Sequence, residues 1–313
     1  MPSMSGFVDF NPEKDIPPLD GKVIFVTGGT AGLGKASIEA LVKRGASHIY
    51  FTGRNTKAGE ALIADMKKTN PSVGLTFLEM DFLSLASVKK GCDQFFHDRL
   101  DILMCNAGIM FKPPALSKDG YEATFATNHL AHALIIKKLL PTLLKTAESP
   151  DADVRLVSLT SEGWVGHPKE GVNFSTLQTT QASAFGKFTR YGQSKLANIV
   201  YAAEVARRYP QITAISVHPG VVKTDLVNSL SLSEKAVIYG ANFVKGLKLM
   251  EEEQGCLSQL WVAAGARRDE LVNGAYYRPV GVLSNSALDK IATSEEFAKR
   301  LWTWTDDALA EVL

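Results

Sequence analysis

The sequence predicts an α/β fold: a doubly wound parallel sheet with helices on both faces. Three observations carry this. The short, apolar, β-branched runs VIFVTG, HIYFTGR, LTFLEMD, LDILMCNAG, VRLVSLTS and ITAISVHPG read as strands buried on both faces. Stretches with helical spacing separate most of them, the pattern of βαβ units. No internal repeat or low-complexity linker interrupts the alternation. A single domain is therefore expected over residues 21–285, preceded by an N-terminal arm (1–20) and followed by a helical tail (286–313).

Composition narrows the partner. The chain has 313 residues, 45% hydrophobic and 21% charged, with a net charge of +1. That is an ordinary globular composition, with no electrostatic case for nucleic acid. The expected partner is a small molecule. The N-terminus MPSMSGFVDFNPEKD lacks a signal-peptide core, and no segment reaches the ~18 uncharged apolar residues of a membrane helix. The longest candidate, ALIIKKLLPTLL, is interrupted by two lysines and a proline. Cys92, Cys105 and Cys256 are too few and scattered for a disulfide framework or a zinc site. They fit packing positions in a reducing compartment, which points to the cytoplasm.

The first strand runs into TGGTAGLG and then into KASIEALVKRG, a helix that Ile38, Leu41 and Val42 would pack on the sheet and Gly45 would cap. Gly28, Gly32 and Gly34 let the backbone turn tightly and leave no Cβ in the way of an anion, while the helix N-terminus attracts negative charge. Strand, glycine turn and helix together point to a phosphate site. The second strand bears on which phosphate. About 20 residues past such a turn, an acidic residue would bind the adenosine ribose hydroxyls of a dinucleotide. Here that place holds Arg54. A guanidinium grips a 2′-phosphate with two hydrogen bonds, so NADP(H) is favoured over NAD.

In order and spacing, TGGTAGLG, CNAG at 105–108, YGQSK at 191–195 and HPGVVKT at 218–224 resemble the motifs of the short-chain dehydrogenase/reductase family. The resemblance covers roughly residues 20–285, and the motif YGQSKLAN is similar to that of the retinol-dehydrogenase-like, fungal and plant reductases. It implies a Rossmann fold, hydride transfer between a nicotinamide and a carbonyl or alcohol carbon, and, through the branch, a place in secondary metabolism.

The residues make chemical sense of that implication. Tyr191 and Lys195 are four apart in a strongly helical stretch, so they share a face one turn apart. An ammonium beside a phenol of reference pKa ~10 favours the phenolate and is expected to bring that pKa toward working range. By resemblance, Ser161, the second hydroxyl of the Thr160–Ser161 pair, steadies the substrate oxygen, and Asn128 holds a water that links the lysine to solvent. The segment between Ser161 and Tyr191, longer than the family's usual interval, is expected to form part of the substrate wall.

The resemblance also carries cofactor roles onto the turn residues Gly28, Thr30, Gly32, Leu33 and Gly34. It places Asp81 and Phe82 beside the adenine, Asn106, Ala107 and Gly108 beside the adenosine ribose, and Pro219, Gly220, Val222 and Thr224 at the nicotinamide, with Tyr191 and Lys195 also touching the cofactor. His129 and His132 stand three apart with no third ligand nearby, so no metal site is read from them. Residues 226–254 are apolar without strand alternation and correspond to the family's substrate lid, implying an apolar ketone, aldehyde or alcohol. GCLSQLWVAAGA reads as a helix, NGAYYRPVG as a last strand, and Trp302 and Trp304 as anchors of the C-terminal helix. Two alternatives share these features: a carbon–carbon double-bond reductase of the same fold, and a non-catalytic NADP(H)-sensing protein. Monomer and homodimer are both compatible with the sequence.

Overall fold

A computed structural model describes residues 7–183, 186–223 and 250–313. Each apolar run became a strand: β1 (Val23–Val26), β2 (His48–Gly53), β3 (Gly74–Glu79), β4 (Ile102–Cys105), β5 (Arg155–Leu159), β6 (Thr213–Val217) and β7 (Tyr276–Arg278). They form one sheet in the order β3-β2-β1-β4-β5-β6-β7-β8, parallel through β7. The exception is β8 (Val282–Leu283), a two-residue antiparallel strand on β7, so the sheet is not wholly parallel as expected. It arises because Gly281, at φ +70°, lets the chain fold straight back after Arg278 and Pro279.

Strand alternation divides the core. Val23 and Phe25 of β1 face one apolar cluster with Leu134, Leu196 and Leu301, whereas Ile24 and Val26 face the other with Ile38, Leu41 and Trp261. Both sides are covered by helices, which is why β1 carries no polar residue. On the second face lie α2 (Gly32–Lys43) and α3 (Thr56–Thr69). The first face carries α4 (Leu85–Cys92), α6 (Ala131–Ala147), α7 (Gly186–Arg208) and α10 (Glu295–Leu309); the short helices α5 (Ala123–Phe125), α8 (Glu252–Gly255) and α9 (Leu257–Leu260) fall between them in the chain.

Residues 7–20 do more than lie on the surface. Phe10, Ile16 and Leu19 are buried in the second face, and only a short helix, α1 (Pro12–Asp15), interrupts this extended segment. At the other end α10 is anchored as expected: Trp302 stacks on Tyr201 of α7 with ring centroids 4.8 Å apart, and Trp304 meets Tyr121 and Phe125 edge-on. No helix among the described residues is long and apolar enough to cross a membrane.

The strand order fixes where chemistry can happen. The chain builds β1, β2 and β3 outward in one direction, then returns to the other side of β1 for β4. The loops after β1 and β4 therefore diverge and leave a crevice at the carboxyl ends of these strands.

Candidate functional site

One wall of the crevice is the glycine turn. Gly28 and Gly32 have φ of +67° and +57°. At Gly34 the helix passes so close to the turn that a Cβ would overlap the Gly28 carbonyl oxygen and the Asn106 side chain. The N-cap of α2 is Ala31, which makes no side-chain cap bond, and the first turn holds no acidic residue. Its backbone N–H groups are left for an anion, so the residues fit a dinucleotide phosphate. Asn106 locks the turn from beneath, its amide donating to the Thr27 and Gly28 carbonyls at 2.9 and 3.3 Å.

The turn is tied to β2, where Gly28 N–H donates to the Thr52 hydroxyl at 3.2 Å and Gly29 N–H to the Thr52 carbonyl at 2.9 Å. Thr30 lies against Gly53, and the next residue, Arg54, is exposed beside it. Arg54 also acts electrostatically on Asp81, whose carboxylate pairs with Lys118 at 3.0 Å and accepts from Leu83 N–H at 3.1 Å. Partial burial would raise the Asp81 pKa, but those hydrogen bonds and positive charges outweigh it and hold the carboxyl below its usual range. Phe82 is buried, its ring edge-on to His132 at 5.1 Å.

Across the crevice, α7 carries Tyr191 and Lys195 on one buried face. Ser161, at the end of β5, caps the 3-10 turn Glu162–Gly166 by accepting from Gly163 N–H at 3.1 Å, and its hydroxyl also hydrogen-bonds the Tyr191 phenol. Lys195 Nζ donates to the Leu159 carbonyl at 3.0 Å. Asn128 sits in a single π-turn (Ala126–Leu130) that leads into α6, a local irregularity frequent at functional sites. Its side-chain amide donates to the Ile109 carbonyl at 3.0 Å and the Ser194 hydroxyl at 2.9 Å, and its oxygen accepts from Ile109 N–H at 2.8 Å. Both side-chain N–H donors are thus spent on protein, so a water at this side chain is left the second lone pair of its oxygen. Gly108 is where the groups converge: a Cβ there would stand 3.2 Å from Asn128 Oδ1 and 3.5 Å from Lys195 Nζ.

The electrostatics depart from expectation. Burial pushes the Tyr191 phenol up to about 12, only partly offset by the Ser161 hydrogen bond, and burial brings Lys195 down to about 8. The expected depression of the phenol by the ammonium is not found. Burial sets the phenol's value, and the ammonium lies 5.9 Å from the phenol ring centroid with one proton committed to Leu159.

The structure thus brings Gly28, Thr30, Gly32, Gly34, Asn106, Ala107 and Gly108 together with Asn128, Ser161, Tyr191 and Lys195 around one crevice. Leu33 and Val222 meet at Gly255, and Gly220 abuts Met250 and Pro279. Pro219 precedes Gly220 just beyond β6. Thr224 lies outside the described residues, as does residue range 226–249 of the expected lid; its remainder enters the turn of helix Glu252–Gly255.

Three supporting residues escape the sequence reading. His132 joins Thr27 to the Asn128 carbonyl, at 2.9 and 3.0 Å. Gln259 donates to the Ser37 hydroxyl at 2.8 Å and reaches Asn106 Oδ1 at 3.3 Å, bracing the glycine turn from behind. Arg190 is buried against Glu122 at 3.3 Å. The i,i+4 spacing of Asn128 and His132 was a usable signal for the first. Gln259 and Arg190 act through partners more than 60 residues away in sequence or on other elements, which no local pattern reveals.

Comparison with known proteins identifies the family. Residues 22–161 match the family model described as short chain dehydrogenase. The chain is 34% identical over 306 residues to an uncharacterized oxidoreductase of Schizosaccharomyces pombe, covering 93% of this chain and 86% of that one. It is 33% identical over 308 residues to the short-chain dehydrogenase/reductase drtF of Aspergillus calidoustus, covering 94% and 95%. Among solved structures, an uncharacterized protein from Mycobacterium paratuberculosis superposes with a TM-score of 0.71 at 25% identity, covering 95% and 97%. With a switch-point crevice between β1 and β4 and relatives aligned along nearly their whole length, the chain belongs to the short-chain dehydrogenase/reductase family, oxidoreductases that bind a nicotinamide cofactor.

Proposed function

We propose that the chain is an NADP(H)-dependent reductase of small apolar ketones or aldehydes. The observation that carries this is the convergence of Asn128 and Lys195 on Gly108, with Ser161 bonded to the Tyr191 phenol on the same side of the crevice. Arg54, exposed at the end of β2 beside Thr30 where a carboxylate would select NAD, supports the 2′-phosphate. The three cysteines, buried and unpaired, suit a reducing compartment such as the cytoplasm.

When bound, the nicotinamide supplies or accepts the hydride. The residues handle the oxygen and the proton. Ser161 and Tyr191 both present hydroxyl donors, aimed where negative charge grows on the carbonyl oxygen as it is reduced. With its pKa at about 12, Tyr191 keeps its proton at neutral pH and gives it to that oxygen as the alkoxide forms. Lys195, at about 8, is charged near neutrality; its ammonium stabilises the tyrosinate left behind and can return a proton. Asn128 holds Ile109 and Ser194, and with them the distance between the β4 loop and α7.

Turnover tests this directly. Tyr191→Phe is expected to lower kcat for NADPH-dependent ketone reduction by about 10²–10⁴-fold, the range of a lost general acid, while the Kd for NADPH stays within about twofold. Full activity in that variant sinks the assignment. So does a product in which a carbon–carbon double bond has been saturated and the carbonyl survives.

A further inference from the structure

Among the described residues, two non-glycine positions have positive φ: Phe111 at +52° and Gln181 at +47°. They are far apart in sequence, yet one side chain ties down both. Buried Arg190, the residue before Tyr191, donates through Nη1 to the Gln181 carbonyl at 3.1 Å and through Nη2 to the Lys112 carbonyl at 3.0 Å. Its charge faces Glu122, itself buried and held by the Thr124 and Phe125 N–H groups at 2.9 and 2.8 Å. The left-handed turn at Phe111 is therefore clamped from the catalytic helix.

A bulky aromatic residue is an expensive occupant of left-handed backbone, and glycine or asparagine would take that conformation with less strain. What Phe111 offers instead is its ring. It lies edge-on to Phe188 at 4.7 Å and to Tyr191 at 5.7 Å, and both phenylalanines remain partly exposed. On another side of the Tyr191 ring stands Gly163, where a Cβ would press on the ring itself. The tyrosine is thus bordered by an aromatic shelf on one side and bare backbone on another. Strained backbone at such a place points to function.

We propose that Phe111 and Phe188 form an aromatic subsite beside Tyr191 that selects carbonyl substrates with an aryl group next to the reacting carbon. This rests on the reductase reading for the role of Tyr191, and it names the substrate class of that site. An aryl ring gains offset and edge-to-face contacts with the two phenylalanines that a saturated ring of the same size lacks.

The test compares phenyl methyl ketone with cyclohexyl methyl ketone, which share the carbonyl and differ in the ring. Ligand-observed NMR titration of the Tyr191→Phe protein, with and without NADP⁺, gives both affinities without turnover. The aryl ketone is expected to bind roughly two- to tenfold tighter. Phe111→Leu, which keeps the left-handed strain, and Phe111→Gly, which relieves it, are both expected to bring that ratio to about one. The proposal is overturned by a ratio near one in the parent, by a ratio that survives both substitutions, or by binding of neither ketone. If the ratio behaves as expected and the wild-type protein reduces neither ketone with NADPH, the subsite stands and the reductase reading falls.

Discussion

His132 Nε2 lies 2.9 Å from the Thr27 hydroxyl, and its Nδ1 lies 3.0 Å from the Asn128 carbonyl oxygen. A carbonyl oxygen only accepts, so Nδ1 carries the proton and Nε2 accepts from Thr27. The Thr27 oxygen in turn takes the N–H groups of Asn106 and Ala107 at 2.8 and 2.9 Å. One neutral imidazole therefore spans the end of β1, the turn after β4 and the π-turn of Asn128.

That neutrality has a pH signature. Burial pushes His132 and His129 down to about 3, from an ordinary value of 6.5. Between those values the unfolded chain binds protons that the folded chain refuses, so stability falls as pH drops below about 6.5, by ~1.4 kcal/mol per pH unit for each group. Urea unfolding at pH 7 and pH 5 is expected to show this loss, and His132→Gln should reduce the slope by about one proton. An unchanged slope would mean that His132 is already protonated in the folded protein.

Lys195 works in the opposite pH range. Its folded value of about 8 lies below the ordinary 10.5, so above pH 8 the unfolded chain holds a proton that the folded chain has released. Stability contributed by this group is low below pH 8 and rises with pH toward 10.5, by roughly 2 to 3 kcal/mol between pH 8 and 10. Tyr191, raised to about 12, acts with the reverse sign only above pH 10. Followed by urea unfolding at pH 8 and pH 10, wild type is expected to gain that amount of stability relative to Lys195→Met as the pH rises. A constant difference contradicts the burial of the ammonium.

Gly34→Ala probes the phosphate turn. The new methyl group meets the Gly28 carbonyl, a backbone atom that cannot rotate away, so the turn must open. NADPH affinity is expected to fall by about tenfold or more, equivalent to 1.4 kcal/mol or more. Gly45→Ala supplies the control: φ there is +76° with nothing nearer than 3.9 Å, so it strains the chain without touching the crevice. Calorimetric titration of both variants, with equal affinities as the contradicting result, decides between a fitted turn and a tolerant one.

What the sequence made legible was local. A glycine turn needs φ > 0 and close approach within eight residues, and Tyr191 and Lys195 need only one helical turn, so each left its mark in a short window. The strands were readable because burial on both faces demands continuous apolar runs, as in β1. Arg190 was hidden because its partners, Glu122, Lys112 and Gln181, come from separate loops and become its ligands only after folding. Phe111 gave no sign of its left-handed backbone, since the residue type argues against it. The phenol's raised pKa is hidden for a related reason: spacing shows the neighbouring ammonium but not the depth of burial.

Calorimetric titration of the purified protein with NADPH and, separately, with NADH decides the cofactor. NADPH is expected to bind at least tenfold more tightly, and Arg54→Ala to remove the difference, since the 2′-phosphate is the group that distinguishes the two cofactors and a guanidinium suits it. NADH binding as tightly as NADPH, or a preference that survives Arg54→Ala, would contradict it.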